Sequence, residues 1–200
     1  ILIIVAICVL IVVNFAFLDG SYQSGEESKT DVAQSGEVKS SGKALIGGDF
    51  SLTDQDGKEF TSEDLKGKKS LIYFGFTNCP MICPTALNNM SLALDQLGDK
   101  ASEFKPVFIT TDPERDTQER LKEFLSSFHP DFVGLTGSKE KLDEAYEGYK
   151  VYAKKVDTGT ENYDMNHTSI IYVMNEEGEF VTHFSHQTAP EEISKKLKTL

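Results

Sequence analysis

The chain has 200 residues, room for one domain with an appendage, and its three cysteines are too few for a disulfide-stapled miniprotein. Hydrophobic residues make up 39% and charged residues 26%, which excludes a collagen-like chain and a polytopic membrane protein. Thirty-two acids against 20 bases give a net charge of −12 with no basic run, so nucleic acid is not an expected partner.

Ile1 to Leu18 carries no charge, and Asn14 is its only polar side chain. A helix of that length covers about 27 Å, near the thickness of a hydrocarbon core. The run is longer than the roughly 7–15 apolar residues of a cleavable signal peptide, and Ala16-Phe17-Leu18-Asp19-Gly20 lacks a small-x-small cleavage site. Cys8 follows the bulky Ile7 and is followed by more apolar residues, which argues against a lipoprotein cysteine and for an inert one. With no polar face, the run is a poor core helix. An uncleaved transmembrane anchor is expected over 1–18. Because the chain starts at Ile1 without methionine, upstream residues, with the charges that set orientation, are expected too.

Residues 19–43 are rich in Ser, Gly, Glu and Lys and cannot bury enough surface to order themselves, so they read as a flexible linker. Such a linker reaches about 25–30 Å. A globular domain is expected over 44–200, with no internal repeat.

That domain alternates strands and helices. Phe50–Thr53 and Lys58–Thr61 flank Asp56-Gly57, a hairpin signal. Leu71–Phe76 reads as a buried strand. Pro84–Leu97 carries Leu87, Met90, Leu94 and Leu97 at helical spacing and stops at Gly98. Pro106–Thr110 is a second buried strand. Asp112, followed by Pro113, or Asp116 is expected to cap the next helix, whose apolar face is Leu121, Phe124, Leu125 and Phe128. A short strand over Phe132–Leu135 and a helix over Ser138–Tyr149 follow. Thr168–Met174 and Glu179–Phe184 form a second hairpin around Asn175-Glu176-Glu177-Gly178, and Pro190–Leu200 closes as an amphipathic helix. The pattern predicts an α/β sandwich with a mixed sheet.

The chemistry begins at Cys79-Pro80-Met81-Ile82-Cys83-Pro84, just after the first buried strand, where open α/β sheets place their ligand sites. A spacing of four puts the sulfurs one helical turn apart on one face. A helix N-terminus offers unpaired N–H groups that favour thiolate over thiol. Two such sulfurs can form a disulfide or grip a soft metal ion, and the spacing alone does not separate the two.

Tyr73-Phe74-Gly75-Phe76-Thr77-Asn78-Cys79-Pro80-Met81-Ile82-Cys83-Pro84 resembles the signature of the Sco/SenC proteins. Thr111-Asp112-Pro113-Glu114-Arg115-Asp116-Thr117 resembles their second motif and Asn166-His167-Thr168-Ser169 their third, in family order. The resemblance implies a thioredoxin-like sandwich with a mixed central sheet, here with an extra N-terminal hairpin. It implies a copper-binding protein, taking Cu(I) or Cu(II), that serves assembly of cytochrome c oxidase. Cys79, Cys83 and His167 are the implied metal ligands and Asp112 an accessory carboxylate. Family members commonly have His where Asn78 stands and Asp where Met81 and Asn166 stand. None of these three is an implied ligand, so the departures bear on tuning and partner choice.

The thioredoxin-like fold brings the turn before one strand against the cysteines, and redox enzymes place a cis-proline there. Here His167 precedes the strand, so an imidazole is expected to face the sulfurs. Two thiolates and an imidazole suit Cu(I), and the imidazole helps retain Cu(II). His183 and His186 are expected to diverge on or beside a strand, and His129 to sit in a loop. Met81 reads as an exposed spacer and Met90 and Met174 as core, while Met165 stays open.

Two function classes follow. One is a metallochaperone that delivers copper to the binuclear copper site of the oxidase, with the copper-bearing subunit, other copper chaperones or thioredoxin-like reductants as partners. The other is a thiol–disulfide oxidoreductase acting through Cys79 and Cys83 on the oxidase cysteines. The three-residue gap and the missing proline weigh against a general oxidoreductase. A thiol peroxidase lacks its Thr-x-x-Cys, since Thr77 stands two before Cys79. The expected location is a membrane-anchored domain on the extracytoplasmic side, a bacterial periplasm or a mitochondrial intermembrane space.

Overall fold

Turn chemistry closes the first hairpin between β1 (Ser51–Asp54) and β2 (Glu59–Thr61). Asp54 Oδ1 accepts the N–H groups of Asp56 and Lys58, each at 2.9 Å, while Gly57 takes φ +81°, a conformation suited to glycine. This computed structural model describes residues 45–159 and 163–200. The predicted anchor and linker lie outside the described residues, among which no helix is long and apolar enough to cross a membrane.

β3 (Lys69–Gly75) is buried along its whole length, as an apolar run without polar alternation demands. Next come α1 (Ile82–Asp95), β4 (Phe104–Thr110), α2 (Gln118–Leu125), β5 (Val133–Thr136) and α3 (Lys139–Tyr149). β6 (Ala153–Asp157) and β7 (Tyr163–His167) pair with each other, and β8 (Ile170–Met174), β9 (Phe180–Ser185) and α4 (Pro190–Leu197) complete the chain. The main sheet has the order β2-β1-β5-β4-β3-β8-β9. β3 runs parallel to β4, and β4 to β5, while β8 and β1 join this core antiparallel.

Alternation along the central strands separates two cores. Leu71 and Tyr73 of β3, Phe108 of β4 and Ile171 of β8 pack beneath α1, α2 and α4. Ile72, Phe74, Val107, Ile109 and Tyr172 face the other way, against α3 and the first hairpin. This is the thioredoxin-type α/β sandwich with a mixed sheet that the resemblance implied, and the second hairpin also falls where expected, between β8 and β9.

Three features differ from the sequence reading. Neither Asp112 nor Asp116 caps α2. The cap is Thr117, whose hydroxyl accepts the Arg120 N–H at 3.2 Å, because both aspartates are taken up by long-range partners described below. The β6–β7 ribbon was not anticipated, since β6 is exposed over nearly its whole length and the alternation in β7 rests on Tyr163, Met165 and His167 with no aliphatic residue. In consequence His167 is the last residue of strand β7, with Thr168 and Ser169 leading into β8, and not a residue of an isolated turn.

Thr117→Ala should cost about 1 kcal/mol, the usual loss of a helix cap. Urea denaturation measures it, and unchanged stability would show that the hydroxyl does not cap the helix.

Candidate metal centre

At Gly75, the last residue of β3, nothing larger than glycine fits. A Cβ would lie 2.8 Å from Cys83 Sγ and 2.9 Å from the rings of Phe108 and Tyr73. The missing side chain lets the first turn of α1 close directly on the strand end. The N-cap of α1 is Met81, which offers no side-chain cap. A sulfur does part of that work instead, as Cys79 Sγ accepts the Cys83 N–H at 3.4 Å.

Neither Cys79 nor Cys83 is in a disulfide. Cys83 is fully buried, whereas Cys79 lines an open groove together with Phe76, Met81, Met165, Asn166 and His167. The pair divides its acidity. A hydrogen bond from the Cys83 thiol, with the N–H groups of Cys83, Met81 and Ile82, holds Cys79 down to about 5 against the cost of burial. The same bond to the Cys79 sulfur, together with burial, pushes Cys83 far up. The Tyr73 hydroxyl also reaches Cys83 Sγ, at 3.9 Å. The neutral-pH site is therefore one thiolate at the groove and one thiol behind it.

His167 does face the sulfurs. Its Nε2 stands 3.7 Å from Cys83 Sγ. Its Nδ1 lies 2.9 Å from the Thr168 carbonyl, and a carbonyl can only accept, so Nδ1 carries the proton and the Nε2 lone pair points at the cysteine. The ring is wedged edge-on between Phe76, 5.6 Å away, and Tyr73, 6.3 Å away. Burial lowers its pKa and keeps it neutral.

A sulfur about 2.3 Å and a nitrogen about 2.0 Å from one ion, set ~120° apart, are themselves separated by about 3.7 Å. Cys83 and His167 fit that spacing. Among the described residues no group of three His, Cys, Asp or Glu side chains is already closed around one point, and Cys79, hydrogen-bonded to Cys83, is the sulfur beside this pair. The donors are chemically suited to a soft ion.

Asp112 is buried but turned away from the sulfurs. Its carboxylate accepts the Tyr163 hydroxyl at 2.6 Å and pairs with Arg115. Arg115 donates to the Tyr163 carbonyl at 2.9 Å and lies 3.7 Å over its ring, with Lys155 also 3.7 Å from that ring. Asp112 thus latches the start of β7, the strand that ends in His167.

Sequence reasoning missed the part played by Asp116. Its buried carboxylate accepts the Thr77 N–H at 3.1 Å and the hydroxyls of Thr77 and Thr110 at 2.6 Å each, fixing the segment that leads to Cys79. Burial raises its pKa despite these donors. The Thr-Thr-Asp-Pro-Glu-Arg-Asp run held the signal, since an aspartate four residues past another cannot serve the same cap.

The remaining histidines make their contacts away from the sulfurs. His183 is exposed and stacks on Phe180, His186 meets the Ser169 carbonyl at 3.3 Å, and His129 lies by Asp95 and Asp131. Met90 and Met174 are core residues. Asn78, Met81 and Asn166 are all exposed, the last two on the groove itself.

A family model described as SCO1/SenC matches residues 38–200. The chain is 46% identical over 155 residues to a SCO2-like protein of Rickettsia felis, covering 76% of either chain. It is similar to the structure of Bradyrhizobium japonicum ScoI with copper bound, with 46% identity and a TM-score of 0.72 over 77% of this chain and 98% of that one. It is also similar to BsSco, described as a member of the Sco family of cytochrome c oxidase assembly proteins in which a disulfide switch was identified. There the identity is 25% and the TM-score 0.62, over 78% of this chain and 92% of that one.

Two outcomes follow from the acidities. Alkylation of Cys79 by iodoacetamide should rise with pH through a midpoint near 5 and then level off, and Cys83→Ala should move that midpoint up. A midpoint in the ordinary thiol range would remove the paired thiolate. For His167 the folded-state pKa lies below its ordinary 6.5, so the unfolded chain takes up a proton first as pH falls. Stability is then fully present above 6.5 and lost as pH drops through the folded value. Melting temperatures of the metal-free protein should fall more steeply on acidification than those of His167→Gln, and parallel curves would refute the shift.

Proposed function

Because the chain belongs to the SCO1/SenC family, we propose that it carries copper for the assembly of cytochrome c oxidase, holding the ion through Cys79, Cys83 and His167 Nε2. Copper here is cargo, passed on to the copper-bearing subunit of the oxidase at its binuclear site. The observation that carries this reading is the neutral imidazole held with its lone pair toward Cys83, 3.7 Å from the sulfur. The copper-bound relative supports it. On this reading the domain works on the extracytoplasmic side, held by segment 1–18.

The protein's own groups have separate tasks. Of these three ligands Cys79, already ionised and facing the groove, is the first to take up the ion. Cys83 then gives up its proton, which a cation in place of that proton favours. His167 Nε2 closes the site without losing a proton, so it stabilises the ion at no cost in acidity. Asp112, through Tyr163 and Arg115, sets where β7 begins and hence where the imidazole ends.

A second reading, reduction of the oxidase cysteines, is favoured by one feature. A low-pKa sulfur at the edge of a groove, backed by a more deeply buried thiol, is the arrangement that attacks a disulfide and then resolves it. The disulfide switch of BsSco supports it as well.

Reduced protein should bind Cu(I) at least tenfold more tightly than the Cys79–Cys83 disulfide form, about 1.4 kcal/mol or more. His167→Ala should keep most Cu(I) binding and lose the Cu(II)–thiolate charge-transfer colour. Equal affinity in both redox states, combined with efficient insulin reduction, would replace the carrier by the reductase.

A further inference from the structure

Two of the four methionines, Met90 and Met174, are fully buried. The other two, Met81 and Met165, line the same groove as Cys79 and His167. Met81 stands between the two cysteines with 69% of its surface exposed. It occupies the N-cap of α1 without any capping bond, where Ser, Thr, Asp or Asn would stabilise the helix by about 1 kcal/mol more. Neither burial nor helix stability accounts for it. What a methionine brings to that position is a flexible, polarisable thioether. Met165 is on β7, two residues before His167, so the two share a strand face, and its side chain packs partly against the core.

Resting on the copper reading, we propose that Met81 and Met165 form an outer soft-donor site where Cu(I) first lands before passing to Cys79, Cys83 and His167. A thioether suits this task because it prefers Cu(I), has no proton to lose, and is neutral, so it holds the ion loosely. The transfer is a ligand exchange without change of oxidation state. Each Cu–thioether bond breaks as a Cu–thiolate bond forms, and the proton of Cys83 leaves to water.

The test uses the full chain with methyl-labelled methionine and Ag(I) as an air-stable stand-in for Cu(I). In Cys79→Ser/Cys83→Ser protein, Ag(I) should shift the methyl resonances of Met81 and Met165 and leave those of Met90 and Met174 in place. With the cysteines intact, Met81→Leu/Met165→Leu, which keeps apolar volume, should slow Cu(I) uptake from a chelator about tenfold while the equilibrium affinity changes by less than about threefold. Unmoved Met81 and Met165 methyls, or unchanged uptake rates in the folded Leu variant, would overturn the landing site while leaving a wild-type copper site intact. A wild-type chain that takes up no Cu(I) would instead sink the copper reading, and this inference with it.

Discussion

At Gly75 a single added carbon would come within 3 Å of Cys83 Sγ and of two aromatic rings. That steric limit fixes how far the first turn of α1 can sink onto the end of β3, and the rest of the site is measured from it. Cys83 is buried because the turn comes this close, and Cys79, one helical turn earlier, is left at the groove. The acidity difference between the sulfurs follows from the same placement. One sulfur collects the N–H groups at the start of the helix, and the other is shut away from water with a negative neighbour.

Around this contact the polar groups are arranged to hold loops. Asp116 braces the segment before Cys79 from the loop after β4, and Asp112 braces the ribbon before His167 from the same loop. Both carboxylates are buried, and each takes a donor from a distant part of the chain, Thr77 for Asp116 and Tyr163 for Asp112. Breaking either would leave buried hydrogen-bonding groups without partners, which costs more than the bond itself contributes. The loop after β4 thus stabilises both ends of the donor set without touching a sulfur.

Much of this was legible in the residues. β3, β4, α1 and α3 are written as apolar runs or stripes with clear stops, and the Asp-Gly and Glu-Gly turns mark both hairpins of the main sheet. The cysteine pair announced its chemistry by position after a buried strand. Its asymmetry did not, because that depends on which sulfur faces the groove. The β6–β7 ribbon was hidden because Ala153–Asp157 is almost wholly exposed and Tyr163–His167 is too short and too polar for its alternation to stand out. The aspartates were misread because Asp-Pro spells a helix cap locally. Here Thr77, Thr110 and Tyr163, distant in sequence or on another strand, claim the carboxylates, and Thr117 is left to cap α2.

The sulfurs and the imidazole belong to separately hydrogen-bonded bodies, since α1 packs on the seven-stranded sheet while His167 ends one strand of a two-stranded ribbon. Substitutions in the ribbon or in the Tyr163–Asp112 contact can therefore alter the reach of the nitrogen and leave the spacing and acidity of the thiols as they are. A lineage can adjust how firmly the third donor closes without rebuilding the first two. Such a split separates the tuning of the third donor from that of the first two, confining it to a short, largely exposed ribbon and its one buried anchor at Asp112.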